Sequence, residues 1–225
     1  MSKSSQPGSS RGLSQRLRSA EGRSTASQKW LNRQLNDPYV RAAKERGFRS
    51  RAAFKLIEMN EKVKLLKPGA RVVDLGAAPG GWTQVAVQEV GARGQIVALD
   101  ILPMDPVPGA TTLQGDFQEQ EAEARIIAAL GGMADLVLSD MAPNTTGHGA
   151  TDHLRIMALA ELALDFALKV LGPGGGFVAK VFQGGSEKEM LVMLKRHFTS
   201  VRHVKPPASR KESAELYVVA SGFRG

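Results

Sequence analysis

The chain has 225 residues, of which 42% are hydrophobic and 23% are charged. These proportions are typical of a globular protein that is large enough for one α/β domain. The absence of cysteine excludes disulfide scaffolds, thiolate zinc sites, iron–sulfur clusters and cysteine nucleophiles. No apolar run is long enough to span a bilayer, and the polar N-terminus lacks the apolar core of a signal peptide. We therefore expect a cytoplasmic protein that makes no membrane contact.

Positive charge is concentrated at the start of the chain. The net charge is +8. Residues 1–55 hold 13 basic and 3 acidic residues, whereas the remainder holds 17 basic and 19 acidic residues. A basic segment on a near-neutral body suits a polyanion, because Lys and Arg that bind phosphates release condensed counterions. A solubilising or targeting tail would have the same composition, so the charge pattern leaves both interpretations open.

The N-terminal quarter divides into a tail and a helical segment. Residues 1–28 are rich in Ser, Gly, Gln and Arg and bury too little apolar surface to offset the entropy of folding, which predicts a disordered basic tail. Residues 29–225 are predicted to form a single domain, with basic helices over 29–67 and a core over 70–222. Asp37-Pro38 marks a helix start, and a further helix is predicted over 50–65.

From Arg71 onward, short apolar strands alternate with helices. The predicted strands are 71–75, 95–100, 111–114, 135–140, 176–182, 201–204 and 215–220, and the predicted helices are 81–90, 118–130, 151–171 and 186–197. Repeated β-α-β units with buried strands indicate an α/β fold with a doubly wound, Rossmann-like, mostly parallel sheet. The last two strands have no long helix between them, which favours one antiparallel edge strand.

A glycine-rich turn over 76–82 follows the first strand of the core. Small residues there let a ligand approach the backbone, and the next helix presents its N-terminus to that ligand. Asp100 ends the second strand, 20 residues after Gly80, where an acid commonly binds the ribose hydroxyls of an adenosine. Asp116 follows the third strand and is placed to contact an adenine edge. Together these features predict a nucleoside pocket.

The turn by itself does not distinguish a dinucleotide from S-adenosylmethionine. Two details favour the latter: Ala78 stands at the third position of the dinucleotide fingerprint, and Pro79 stiffens the loop. Asp74, at the strand end, is a candidate to hold this loop in place. Trp82 could contact the ligand or belong to the core, and the sequence favours neither interpretation.

Seven motifs follow one another along the chain and are together highly specific. They are SRAAFKL (50–56), VVDLGAAPGGW (72–82), LPMDP (102–106), QGDF (114–117), SDMAPN (139–144), VAKVFQG (178–184) and SAELY (213–217). Through them the sequence resembles, over about residues 29–222, the FtsJ/RrmJ family of bacterial 23S rRNA ribose 2′-O-methyltransferases. The resemblance implies the catalytic residues Lys55, Asp140, Lys180 and Glu215. It also implies methyl-donor contacts at Gly80, Trp82, Asp100, Asp116 and Asp140.

The residue types in this set suit attack by a weakly acidic ribose hydroxyl. Lys180 interrupts an apolar strand and must be paired or neutral, because burying a lone charge is costly. Strand position alone would favour an ion pair with Asp140 that merely locks two strands, whereas the resemblance favours catalysis. A desolvated lysine can accept a proton near neutral pH, so we interpret Lys180 as the general base, oriented by Asp140. Lys55 would supply a neighbouring cation, and Glu215 would complete the network.

The resemblance also implies the substrate and the partners. It predicts S-adenosyl-L-methionine as donor, S-adenosyl-L-homocysteine as product, and no metal, because the leaving thioether is neutral. The target would be a uridine in large-subunit (23S) rRNA, on the assembled or nearly assembled large ribosomal subunit, and we expect a monomer. The alternatives are a 2′-O-methyltransferase for tRNA or cap, a non-catalytic ribosome-assembly factor, and a nicotinamide-dependent oxidoreductase. The last gives no account of Lys180 and Glu215, and the presence of all four catalytic residue types argues against a non-catalytic factor.

Overall fold

Seven helices and seven strands make up the fold in a computed structural model that describes residues 24–143, 146–182 and 188–225. The helices are α1 (Thr25–Asn36), α2 (Pro38–Glu45), α3 (Ala53–Val63), α4 (Gly81–Val90), α5 (Gln120–Leu130), α6 (Gly149–Val170) and α7 (Lys188–His197). The strands are β1 (Arg71–Leu75), β2 (Gln95–Asp100), β3 (Thr111–Gln114), β4 (Ala134–Ser139), β5 (Leu171–Phe182), β6 (Phe198–Val204) and β7 (Glu215–Phe223). The described residues include no candidate for a membrane-spanning helix.

The strands form one sheet in the order β3-β2-β1-β4-β5-β7-β6. Strands β1 to β5 pair in parallel, whereas β7 runs antiparallel to both of its neighbours. The predicted mostly parallel α/β sheet is confirmed. Its antiparallel strand is β7, one position in from the edge, and the edge position belongs to β6. Strand order reverses between β1 and β4, and ligands of such sheets bind beyond the carboxyl ends of the strands at this point.

Helices cover both faces of the sheet. Of the two hydrophobic clusters that include strand residues, one contains residues of α5, α6 and α7, and the other contains residues of α3 and α4. Val72 and Val73, adjacent on β1, belong to different clusters, because successive side chains of a strand point to opposite faces. This three-layer arrangement explains the continuous apolar strands and leaves the carboxyl ends of β1, β2, β4 and β5 for a site.

The basic helices begin earlier than predicted. Helix α1 starts at Thr25, because the Ser24 side chain accepts a hydrogen bond of 3.2 Å from the backbone N–H of Ser27 and caps the helix. Residues 25–28, which the sequence analysis assigns to the tail, belong to α1, and residues 1–23 lie outside the described part. At Asp37-Pro38 the predicted helix start is confirmed, with the Asp37 carboxylate as the cap of α2.

Other helix ends differ from the predictions because side chains complete local turns. Helix α3 ends at Val63 rather than residue 65, since Lys64 adopts a left-handed conformation with φ of 52° and the Asn60 side chain accepts a hydrogen bond from the backbone N–H of Leu66. Helix α5 starts at Gln120 rather than residue 118, because the carboxylate of Asp116 accepts a hydrogen bond from the backbone N–H of Gln118. The predicted start of the last helix, at Ser186, lies outside the described residues.

Candidate active site

The four predicted catalytic side chains lie together in one charge network. The Nζ atom of Lys180 is 2.7 Å from Oδ1 of Asp140 and donates to the backbone oxygen of the same residue at 2.9 Å. The Nζ atom of Lys55 is 2.7 Å from Oε1 of Glu215, and Oε2 of Glu215 is 4.0 Å from Nζ of Lys180. Two lysines and two carboxylates therefore form a continuous series of ion pairs, from Lys55 through Glu215 and Lys180 to Asp140.

The topology of the sheet explains why residues so distant in sequence meet. Asp140 directly follows β4, and Lys180 lies near the end of the adjacent parallel strand β5. Glu215 opens β7, and since β7 is antiparallel to β5, it pairs with Phe182 at the same edge of the sheet. Lys55 reaches the network from α3. The cluster thus joins four separate elements at the carboxyl ends of β4 and β5.

Burial strengthens the interactions in this network. Each of the four side chains is more than four-fifths buried, so the charges interact with less screening than at the surface. Desolvation by itself would raise the pKa of Asp140, but the charges of Lys180 and Lys55 and the hydrogen bonds from Lys180 and Tyr217 hold the pKa of Asp140 below its ordinary value. Asp140 is therefore a carboxylate at neutral pH.

Tyr217 lies at the centre of the network, although sequence reasoning does not single it out. Its buried hydroxyl donates to Oδ1 of Asp140 at 2.7 Å and accepts from Nζ of Lys55 at 3.1 Å. Desolvation and the negative charges of Asp140 and Glu215 raise the pKa of Tyr217 well above its ordinary value, so the hydroxyl keeps its proton. A signal was present: Tyr217 follows Glu215 by two positions on a strand and must share its face.

The glycine-rich turn follows β1 and leads into α4. Gly76 and Gly80 have φ of +74° and +107°, a region that side-chain-bearing residues rarely adopt. A Cβ atom at Gly76 would lie 2.7 Å from the backbone of Met141, and one at Gly80 would lie 3.0 Å from the Arg49 guanidinium and from Val107. The turn therefore packs closely against its surroundings at both glycines, and at Gly76 it lies next to the residue that follows Asp140.

Two of the predicted donor-binding carboxylates occupy the ends of β2 and β3. The Asp100 carboxylate accepts hydrogen bonds of 2.8 Å from the backbone N–H groups of Ala78 and Leu102. It thereby ties the turn to the loop after β2. The Asp116 carboxylate accepts one of 2.9 Å from the N–H of Gln118. Both side chains are half-buried at the edge to which the glycine turn belongs.

Trp82, for which the sequence leaves two interpretations open, has a buried side chain. Its side chain is only 3% exposed, its indole N–H donates to the backbone oxygen of Ala52 at 2.8 Å, and its ring lies 5.5 Å from that of Tyr217. The side chain of Trp82 thus belongs to the core between α3 and α4. The backbone N–H of this residue lies in the first turn of α4, where such groups have no partner within the helix.

Asp74, on β1, links the end of this strand to the helix that follows the glycine turn. Its Oδ2 atom accepts a hydrogen bond of 2.7 Å from the hydroxyl of Thr83, so the end of β1 is joined to the first turn of α4. Oδ1 has no hydrogen-bond partner among the described residues. Complete burial, together with the nearby charges of Asp140 and Asp100, raises the pKa of Asp74 to about 7 despite the opposing hydrogen bond. A carboxyl group that titrates near neutrality therefore lies beneath the turn.

Comparison with known proteins places this chain in a family. The profile of the FtsJ-like methyltransferases matches residues 48–223. The chain is 67% identical over 208 residues to the ribosomal RNA large subunit methyltransferase E of Gluconobacter oxydans. This alignment covers 92% of this chain and 77% of that protein. It is 63% identical over 222 residues to the protein of the same name from Granulibacter bethesdensis, covering 99% and 96% of the two chains.

A solved structure gives the same result. A protein from Plasmodium falciparum that is assigned as a ribosomal RNA methyltransferase superposes with a TM-score of 0.70 and 29% sequence identity, over 79% of this chain and 100% of that chain. The family resemblance that the seven motifs predict is therefore confirmed, and the chain belongs to the FtsJ-like methyltransferase family.

Proposed function

We propose that this methyltransferase transfers the methyl group of S-adenosyl-L-methionine to the ribose 2′-hydroxyl of a uridine in 23S rRNA, on the assembled or nearly assembled large ribosomal subunit in the cytoplasm. The observation that carries the proposal is the network of Lys55, Asp140, Lys180 and Glu215 beside the glycine turn. The names of the relatives, which specify ribosomal RNA of the large subunit, support the choice of substrate.

The turn and the neighbouring strand ends fit S-adenosylmethionine. The turn leads into α4, whose first backbone N–H groups have no partner within the helix and are available to a polar ligand. Asp100 would bind the ribose hydroxyls and Asp116 an edge of the adenine, while the ionised Asp140 would lie near the positive sulfonium. The donor supplies a methyl group on a sulfonium, from which a neutral thioether leaves.

The residues of the network would activate the ribose hydroxyl. Lys180 acts as the general base in its neutral form, after it has released a proton to solvent; its Nζ atom then takes the proton of the 2′-hydroxyl, and Asp140 orients that Nζ atom through two contacts. Lys55, held by Glu215 and by the Tyr217 hydroxyl, stabilises the negative charge that develops on the attacking oxygen. Alignment of oxygen, methyl carbon and sulfur would contribute much of the rate.

The basic N-terminal segment would hold the RNA. Arg41, Lys44 and Arg46 are exposed on and next to α2, and α3, which follows in the chain, carries Lys55 into the network. Phosphates bound along this segment would therefore approach the side of the site from which Lys55 enters. Such contacts position the RNA without reading its sequence. The proposal needs a single chain and no metal.

The test is a map of ribose methylation. Large subunits, naked 23S rRNA and tRNA, all lacking the modification, are incubated with the protein and S-adenosylmethionine, and 2′-O-methylated positions are then located by resistance to alkaline cleavage. We expect one uridine of 23S rRNA to be modified in the large subunit. Modification of tRNA instead would favour the tRNA alternative, and binding to the subunit without methylation would favour an assembly factor.

A further inference from the structure

Arg49 belongs to the basic N-terminal segment, yet its side chain contacts the glycine turn. Its Nη1 atom donates to the backbone oxygens of Pro79 at 3.2 Å and Asp105 at 2.6 Å. Its Nη2 atom donates to the backbone oxygen of Pro106 at 2.7 Å. The three acceptors belong to two different loops, the turn after β1 and the loop between β2 and β3. One guanidinium therefore bridges both loops.

The backbone around Arg49 is also attached to the element that follows the turn. The N–H of Arg49 donates to the side-chain oxygen of Gln84 at 2.8 Å, and the side-chain nitrogen of Gln84 donates to the backbone oxygen of Gly47 at 3.0 Å. Gln84 lies in α4. Since α3 begins shortly after Arg49 and carries Lys55, the chain segment that presents a catalytic side chain is the one that clamps the two loops.

The Arg49 side chain also packs against the backbone of Gly80 in the turn. A Cβ atom at Gly80 would lie 3.0 Å from Nη1 of Arg49 and 3.1 Å from the sulfur of Met104. Arg49 and the loop after β2 thus form the wall against which Gly80 packs. Loops that wall a ligand site lose conformational freedom on binding unless they are already held in place.

We propose that Arg49 is a positioning residue of the donor site, which fixes the turn and the β2–β3 loop against the segment that carries Lys55. The inference rests on the proposed function, because it takes the turn as the site of S-adenosylmethionine. A guanidinium presents several donors in a rigid planar fork, whereas an ammonium is a compact charge on a flexible stem. Lysine at this position would keep the charge and lose the bridge.

The proposed role of Arg49 in donor binding differs from the RNA-binding role of the other basic residues in its segment. If Arg49 contacted RNA phosphates only, its loss would resemble the loss of Arg41, which is exposed on α2. As a positioning residue, Arg49 affects donor affinity and the Michaelis constant for the donor. Its effect on RNA affinity is small, and replacement by lysine does not restore donor binding.

The experiment compares Arg49→Lys, Arg49→Gln and Arg41→Gln with the unchanged protein. Binding of S-adenosylhomocysteine is measured by calorimetry, and binding of a 23S rRNA fragment by fluorescence anisotropy. We expect both Arg49 variants to weaken S-adenosylhomocysteine binding by about tenfold, equivalent to roughly 1.4 kcal/mol, while Arg49→Lys binds RNA normally. Arg41→Gln should show the reverse pattern. Thermal unfolding identifies folded variants, and Arg49→Lys, which keeps the charge, serves if Arg49→Gln does not fold.

Two results would overturn the proposal. One is normal S-adenosylhomocysteine affinity in folded Arg49→Lys. The other is a loss in Arg49→Gln that is confined to RNA binding and equal to that of Arg41→Gln. If the unchanged protein fails to bind S-adenosylhomocysteine, then the proposed function itself is wrong, and the inference about Arg49 falls with it.

Discussion

Tyr217 donates a hydrogen bond of 2.7 Å to Oδ1 of Asp140, the same oxygen atom that lies 2.7 Å from Nζ of Lys180. One carboxylate oxygen thus joins the phenol and the proposed base. Because the phenol also accepts from Lys55, it links the two lysines through a fully buried group. The orientation of Asp140, and through it that of Lys180, therefore depends on a residue whose pKa keeps it a hydrogen-bond donor throughout the physiological range.

Replacing Tyr217 by Phe tests this link. The substitution keeps the ring and removes only the hydroxyl, so Asp140 and Lys55 each lose one hydrogen bond, and a bond to a charged group contributes about 1.5–3 kcal/mol. We expect kcat to fall by about tenfold or more, with donor affinity unchanged. Tyr39→Phe is the matched control, because the Tyr39 hydroxyl donates to Glu58 at 2.8 Å outside the network. Equal activity of the two variants would contradict a positioning role for Tyr217.

Replacing Lys180 by Met should abolish methyl transfer, with a loss of about a thousandfold or more, and leave S-adenosylhomocysteine binding intact. Lys180→Arg should be equally inactive, because a guanidinium keeps its proton. The Arg variant still gives Asp140 a cationic partner. The Met variant leaves the Asp140 carboxylate unpaired, and removing one partner of a buried ion pair costs about 3–5 kcal/mol of stability. Lys169→Met removes a lysine from an exposed pair with Glu123 and serves as the control. Near-normal turnover by folded Lys180→Met would exclude Lys180 as the base.

Replacing Asp116 by Ala should act on the donor rather than on the reaction. We expect the Kd of S-adenosylhomocysteine to rise by about tenfold, because a half-buried carboxylate that would contact adenine is lost, while kcat at saturating donor stays near that of the unchanged protein. Calorimetry measures the first quantity and steady-state kinetics the second. Asp165→Ala removes an exposed carboxylate from α6 and should alter neither. Unchanged donor affinity in Asp116→Ala would refute the adenine contact.

Because of Asp74, we expect the free energy of unfolding to decrease as the pH rises toward neutrality. Burial raises the pKa of Asp74 from 3.8 to about 7, so between these values the folded state holds a proton that the unfolded state has released. The protonated Asp74 side chain therefore contributes fully to the free energy of unfolding below pH 3.8. As the pH rises from there to about 7, this contribution is lost, and the free energy of unfolding falls by at most roughly 1.4 kcal/mol per pH unit. Above about 7 the contribution is constant.

Asp74→Asn, which cannot ionise, isolates this contribution. Urea unfolding of both proteins over a pH series yields the free energy of unfolding at each pH. We expect the difference between unchanged protein and variant to shrink or change sign as the pH rises toward neutrality. Parallel stability curves would show that Asp74 ionises in the folded state as it does in the unfolded state.

The N-terminal residues 1–23 hold five basic residues and one acidic residue. Removing them leaves the Ser24 cap of α1 in place. We expect weaker RNA binding, a less steep dependence of log K on log salt concentration, and unchanged S-adenosylhomocysteine affinity. A full-length chain in which the five basic residues are replaced by Gln should behave like the truncation if charge is responsible. Loss of methyl transfer at saturating RNA would contradict a role confined to RNA affinity.

Much of the fold could be predicted because its signals are local. The bounds of β1, β2, β3 and α4 agree with the sequence prediction, since apolar runs between turn-forming residues define them. The ends of α3 and α5 could not be predicted, because single side chains such as those of Asn60 and Asp116 complete the turns there. The seven motifs between residues 50 and 217 sufficed to identify the family, because their residues and order can be read without knowledge of the tertiary structure.

The sequence by itself determined the residue types of the site, the alternation of strands and helices, and the basic character of the N-terminal segment. Only the tertiary structure decided that Tyr217 bridges Lys55 and Asp140, that the side chain of Trp82 lies in the core, and that Arg49 clamps two loops. The physical reason is that each of these contacts joins residues between 30 and 162 positions apart. Their meeting depends on strand order and on the packing of α3, which no local pattern encodes.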